Sequence, residues 1–110
     1  MTPRCFQGQP QDNVATLIDD AVMGPVDVIG AERREIAAVE SISRGHKVAL
    51  RDLGPDDAVI KFGTRIGHAT RAIRAGEWVH LHNLASDLDA RSGTLDVHSG
   101  APTDTDSAYA

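Results

Sequence analysis

Short apolar runs, each closed within a few residues by Gly, Pro or Asp, recur along this chain and limit what it can fold into. They occupy residues 14–18, 26–29, 36–42, 46–53, 59–62, 66–73 and 78–84, with frequent Val and Ile. Gly24-Pro25, Arg44-Gly45, Gly54-Pro55-Asp56-Asp57, Gly63 and Ala75-Gly76 punctuate them. Runs this short between turn signals specify strands, because a helix needs a longer uninterrupted amphipathic stretch. The predicted fold is mainly β. Two stretches stay open to a short helical turn: residues 14–22, with Asp12 as N-cap and Gly24-Pro25 as the stop, and residues 70–75. In the first, Val14, Thr16 and Ile18 alternate with Ala15, Leu17 and Asp19, which fits a strand equally well. No internal repeat is evident at a fixed period.

At 110 residues the chain fits one domain. Only 4% of its residues are aromatic, so a core must be assembled from Val, Ile, Leu and Ala. A domain of this size buries a modest share of its surface, and a permanent partner would add stability. Acidic residues outnumber basic ones by 16 to 11, which argues against a nucleic-acid footprint. The single Cys5 cannot form an internal disulfide. No apolar run approaches the roughly 18 residues that span a bilayer, and residues 1–5 lack the apolar core of a secretory signal. These features predict a cytoplasmic protein with no membrane or nucleic-acid partner.

Residues 1–11 contain Gly8, two prolines and three glutamines and predict a flexible N-terminal arm. Residues 89–110 are small and polar and predict a disordered tail. The folded unit is then 12–88.

Candidate chemistry concentrates in Glu77-Trp78-Val79-His80-Leu81-His82-Asn83-Leu84. On a continuous strand Trp78, His80 and His82 would share one face, with Val79 and Leu81 turned to the core. Two histidines so placed lie about 7 Å apart at Cα, close enough to converge on one metal ion. The spacing itself supplies no third ligand, and a solvated face with two ordinary histidines fits it as well. His46-Lys47 follows the turn Ser43-Arg44-Gly45; His46 would share a face with Val48 and Leu50, and Lys47 would face outward. Lys61, in an apolar strand beside Gly63, could bind a carboxylate as a point charge or simply guard a strand edge. His68 reads as structural or solvated, Asp12-Asn13 as a turn or cap, and Cys5 and Met23 carry no motif. Dinucleotide, phosphate-loop, CxxC and nucleophile-elbow signatures are absent.

Five segments in order carry a resemblance: Asp12-Asn13-Val14-Ala15, Ile42-Ser43-Arg44-Gly45-His46-Lys47-Val48-Ala49, Val59-Ile60-Lys61-Phe62-Gly63, Ile66-Gly67-His68-Ala69-Thr70 and Gly76-Glu77-Trp78-Val79-His80-Leu81-His82-Asn83. Together they resemble the SAF domain of the altronate and galactarate dehydratases, a family that includes the small subunit of sulfolactate sulfo-lyase. The resemblance implies a β-clip fold with one or two short helical turns, and a hydro-lyase converting a sugar acid to a 2-keto-3-deoxy acid. It implies a divalent metal, Fe2+ or Mn2+, shared with a separate large subunit; homo-oligomerisation stays open. The positions carried over are His46, His80 and His82 as acid–base groups, with His80 and His82 also as metal ligands. Lys47, Lys61 and Asn83 are carried over as substrate-binding residues. Phe62 stands where the family often has Tyr. Two other functions stay open, a sulfo-lyase acting on sulfolactate and a non-catalytic SAF ligand-binding module.

Overall fold

The computed structural model describes residues 2–87, and it is built almost wholly of strands, as expected. Among the described residues, nine strands form two sheets: β1 (Arg4–Gln7), β2 (Val14–Leu17), β3 (Gly24–Gly30), β4 (Arg34–Ala38), β5 (Lys47–Ala49), β6 (Ala58–Lys61), β7 (Thr64–Ala69), β8 (Trp78–Val79) and β9 (Leu84–Ser86). The larger sheet runs β4-β3-β1-β2-β5-β8 and the smaller β6-β7-β9. All pairings are antiparallel except β1 with β3. Neither stretch that was open to a helical turn is helical. Val14 to Leu17 forms β2, and Ile73 bridges Leu53.

The expected N-terminal arm is instead the strand β1, inside the larger sheet. Cys5 and Gln7 point inward with 0% and 1% exposure, whereas Arg4 and Phe6 point out. An inward glutamine breaks the apolar alternation that marks a strand in sequence. Its amide Nε2 reaches the Pro10 and Asp12 carbonyls and Glu32 Oε1, which offsets part of the cost of burial, while its Oε1 is buried with no hydrogen-bond partner among the described residues. The folded unit thus begins well before residue 12; the expected tail, 89–110, lies outside the described residues.

Two cores divide the interior. One gathers Cys5, Ala15, Leu17, Val26, Val28, Val48 and Leu50, with Trp78 packed against it. The other gathers Val14, Ala49, Leu53, Val59, Ala69, Ile73, Val79 and Leu84. Strand alternation feeds both from the same elements, since Val14 and Ala15 serve opposite cores, as do Val48 and Ala49. Asn13 stitches the two sheets together. Its backbone N–H donates to Ile60 O, its Oδ1 accepts from Ile60 N at 2.8 Å, and its Nδ2 donates to Ala58 O at 2.8 Å.

A repeated turn, unseen in the sequence, organises the larger sheet. Ile42-Ser43-Arg44-Gly45-His46-Lys47-Val48 and Ile73-Arg74-Ala75-Gly76-Glu77-Trp78-Val79 adopt the same arrangement. Each turn closes with an N–H donated three residues back, His46 to Ser43 and Glu77 to Arg74, around a glycine at φ 85 or 90. Each receives one carboxylate on its second residue: Asp20 accepts from Arg44 N and Asp52 from Ala75 N. Gly54-Pro55-Asp56-Asp57 makes a third such closure, with Asp56 at φ 73. Uneven spacing between the three and the divergence of all but the apolar and turn positions hide the repeat.

Candidate functional site

The residue pair directly after each repeated glycine, His46-Lys47 and Glu77-Trp78, sits where its turn enters a strand, and this places His46 beside Trp78. Val48 of β5 is registered against Trp78 of β8, so the turn preceding β5 lies next to the indole. Trp78 Nε1 donates to His46 Nδ1 at 3.1 Å. The rings meet edge-on with centroids 5.5 Å apart. His80 stacks on the indole at 5.4 Å and an interplanar angle of 11°, and lies 5.3 Å from the His46 ring. His82 lies 4.8 Å from the indole, tilted by 44° to it. Three imidazoles thus surround one tryptophan, half-buried at His46 and His80 and exposed at His82.

The cluster exists, but not for the reason the alternation suggested. β8 ends at Val79, and residues 80–83 form a turn. Asn83 makes that turn: its Oδ1 accepts from His80 N at 3.0 Å and its Nδ2 donates to Trp78 O at 2.9 Å. With 0% exposure, its amide holds the backbone of the site. That placement corrects the expectation that Asn83 reaches for a substrate hydroxyl. Trp78 is anchored at its other end too, where its backbone N–H donates to Glu40 Oε2 at 3.0 Å.

The lysines lie elsewhere. Lys47 was expected to face outward, yet it is 1% exposed. It shares a face with Ala49 and stands across from Val79, both members of the second core, whereas Val48 and Trp78 face the first. Its other cross-strand partner is Thr16, whose Oγ1 is buried without a hydrogen-bond partner among the described residues. Burial, reinforced by the neighbouring charge of Lys61, pushes Lys47 down to about 8. Lys61 is itself lowered by burial, and its Nζ sits 5.4 Å from the centre of the exposed Phe62 ring. The structure therefore sorts the candidates into a histidine–tryptophan cluster and a lysine pair on opposite faces of β5.

Asp12 has a larger part than a turn cap. Its Oδ2 accepts the backbone N–H of Gly8, Gln9 and Phe62 and its Oδ1 that of Gly63, at 2.7 to 3.1 Å. Phe62 and Gly63, at φ 53 and 74, form the two-residue loop between β6 and β7. Such a loop favours Asn-Gly, and the carboxylate here fixes the N–H groups of a less suited Phe-Gly. His68 is structural: its Nδ1 meets Asp87 Oδ1 at 3.1 Å, and Arg65 Nε meets Asp87 Oδ2 at 2.6 Å. That His68 contact, with Arg65 second, holds the Asp87 carboxyl below its usual range. Cys5 is buried and burial pushes its thiol up to about 12, so it is no nucleophile.

Among the described residues, no group of three or more His, Cys, Asp or Glu is placed to hold a metal ion. Imidazole is a suitable donor, but the three here are arranged around an indole and do not make a metal site by themselves. No helix of the described residues is long and apolar enough to cross a membrane.

Residues 3–87 match the family model described as the altronate/galactarate dehydratase SAF domain. The chain is similar to altronate dehydratase of Bacillus subtilis, at 37% identity over 78 residues, covering 71% of this chain and 15% of that protein. It is similar to altronate dehydratase of Escherichia coli at 36% over 77 residues, covering 70% and 15%. It also matches (2R)-sulfolactate sulfo-lyase subunit alpha of Chromohalobacter salexigens, at 49% over 45 residues, covering 41% of this chain and 48% of that subunit. The chain therefore spans only a small part of the dehydratases it matches.

Proposed function

Because this chain belongs to the altronate/galactarate dehydratase SAF domain family, we propose that it is the small subunit of a hydro-lyase acting on a sugar acid such as altronate or galactarate. The observation that carries this reading is the open cluster of His46, His80 and His82 around Trp78, anchored by Glu40 and Asn83. In the reaction the carbon next to the carboxylate loses its proton to a base, and the neighbouring carbon loses hydroxide, which leaves as water with a proton from an acid. The resulting enol becomes the 2-keto-3-deoxy acid. His80 and His82 are the acid–base groups, His46 assists the departing oxygen, and Lys61 offers its charge to the carboxylate.

Such a cluster is part of a site. Since the dehydratase relatives are matched over only 15% of their length, the remaining groups are assigned to a separate large subunit. A divalent iron or manganese ion, if used, would draw its further ligands from that subunit, and no step is assigned to it here. A sulfo-lyase is the second reading, favoured by the 49% match to a subunit of such an enzyme; sulfite would then leave in place of water.

The test is to co-express the chain with a large subunit of this family and assay altronate, galactarate and sulfolactate. Turnover of a sugar acid that needs both chains and falls sharply in His80→Ala and His82→Ala is the expected result. Turnover of sulfolactate alone would select the second reading, and full activity in both variants would overturn the site.

A further inference from the structure

The hydrogen bond between Trp78 and His46 fixes which nitrogen of His46 carries the proton. An indole N–H can only donate. At 3.1 Å from Trp78 Nε1, the Nδ1 of His46 is therefore an acceptor and bears no hydrogen. A neutral imidazole has one donor and one acceptor nitrogen, so its proton sits on Nε2. Both partners are held firmly enough for the contact to persist. Trp78 is tied at its backbone N–H by Glu40 and at its carbonyl by Asn83. His46 closes its turn by donating its N–H to Ser43 O, and its carbonyl accepts from Leu17 N at 2.9 Å.

We infer that Trp78 is a positioning residue that locks His46 in the Nε2–H tautomer, so that His46 meets its ligand as a hydrogen-bond donor to an oxygen atom and not as a metal ligand. A neutral imidazole binds a metal through its bare nitrogen, and the bare nitrogen of His46 is the one the indole already occupies. This marks out His46 as the histidine that accepts the indole N–H, while His80 and His82 lie against the indole in ring contacts. It also gives a reason for a tryptophan at this position: phenylalanine would keep the stacking and lose the lock. That the oxygen belongs to an acid substrate rests on the function proposed above; the tautomer does not.

The deciding measurement is a long-range 1H–15N spectrum of the 15N-histidine-labelled chain, with assignment by His46→Gln. A bare Nδ1 and a protonated Nε2 at His46 are expected, together with a Trp78 indole proton that moves upfield in His46→Ala. In Trp78→Phe the His46 pattern should drift toward a mixture of tautomers. A protonated Nδ1 in the unaltered chain overturns the inference without any variant, so a failure of Trp78→Phe to fold does not shelter it. In the reconstituted enzyme, His46→Gln retains an N–H near the Nε2 position and should hold KM, whereas His46→Ala should raise KM roughly tenfold. Equal KM increases in both variants would overturn the donor role and leave the tautomer standing. An enzyme inactive on every acid tested would instead count against the proposed function, because the spectrum is read on the chain alone.

Discussion

The carboxylate of Asp12 receives the backbone N–H of Gly63 at 2.7 Å across a gap of fifty-one positions in sequence. The same group holds Phe62, Gly8 and Gln9, so one buried side chain joins the loop after β1 to the tip of the β6–β7 hairpin. Removing it takes the shared acceptor from four backbone N–H groups in part-buried bonds, and each such loss carries part of a desolvation penalty. Asp12→Ala should lower unfolding stability by about 3 kcal/mol or more. Asp12→Asn, which keeps one acceptor oxygen, should fall between the two. Urea denaturation of the three proteins checks the order.

The repeated turns offer a matched pair of glycine substitutions. Gly45 at φ 85 has open space where a Cβ would go, so Gly45→Ala meets only the left-handed backbone cost, about 1–2 kcal/mol. A Cβ on Gly76, at φ 90, would press into the Ala37 carbonyl oxygen, and Gly76→Ala should cost clearly more. Thermal unfolding of both variants should separate them, and equal losses would show that the two turns are not held as described.

Lys47 makes stability depend on pH in the alkaline range. Its charged form is disfavoured in the fold, with a value near 8 against about 10.4 for an unfolded lysine. Between those values the unfolded chain holds a proton that the folded chain has released, so stability rises as pH rises from about 8 toward 10.4. Below about 8 the penalty is present in full, at most about 3 kcal/mol. Lys47→Met should flatten most of this rise, with Lys61 leaving a smaller slope of the same sign. Chemical denaturation at a series of pH values reads it directly.

Trp78 is the chain's single tryptophan, which makes the site its own optical probe. Asn83→Ala should cost about 2 kcal/mol by orphaning His80 N and Trp78 O. It should also shift the emission of Trp78 even where the variant stays folded. A folded variant with unchanged emission would show that Asn83 does not set the indole's position.

Metal content should distinguish the chain from its assembly. With no group of three donors among the described residues, the chain purified alone is expected to hold no stoichiometric iron or manganese, and bound metal is expected only in a complex with a large subunit. Elemental analysis of both samples, prepared without chelators, checks this.

Much of the strand pattern was legible in the sequence because Val, Ile and turn residues obey local rules. β1 was not, because Gln7 occupies an inward position where its Nε2 is satisfied by the carbonyls of the following loop and by Glu32. His80 and His82 were picked out by an alternation that the chain abandons after Val79, and they still converge because Asn83 curls the backbone around Trp78. Lys47 looked solvated since nothing local shows that β5 is covered on both faces; that follows only from β2, β8 and the two cores together. The contact of His46 with Trp78 joins residues far apart in sequence through a strand register, which no spacing rule reports.

The position of β1 has a consequence for how the N-terminus can be handled. This strand alone connects β3 and β4 to β2, β5 and β8 within the larger sheet. A chain started after Gln7 would lose the seam and present two half-sheets with bare backbone along Thr16 to Leu17 and along Asp27 to Gly30. Such edges recruit one another between molecules. Trimming what looks in sequence like a dispensable leader would therefore yield aggregates instead of a smaller folded domain.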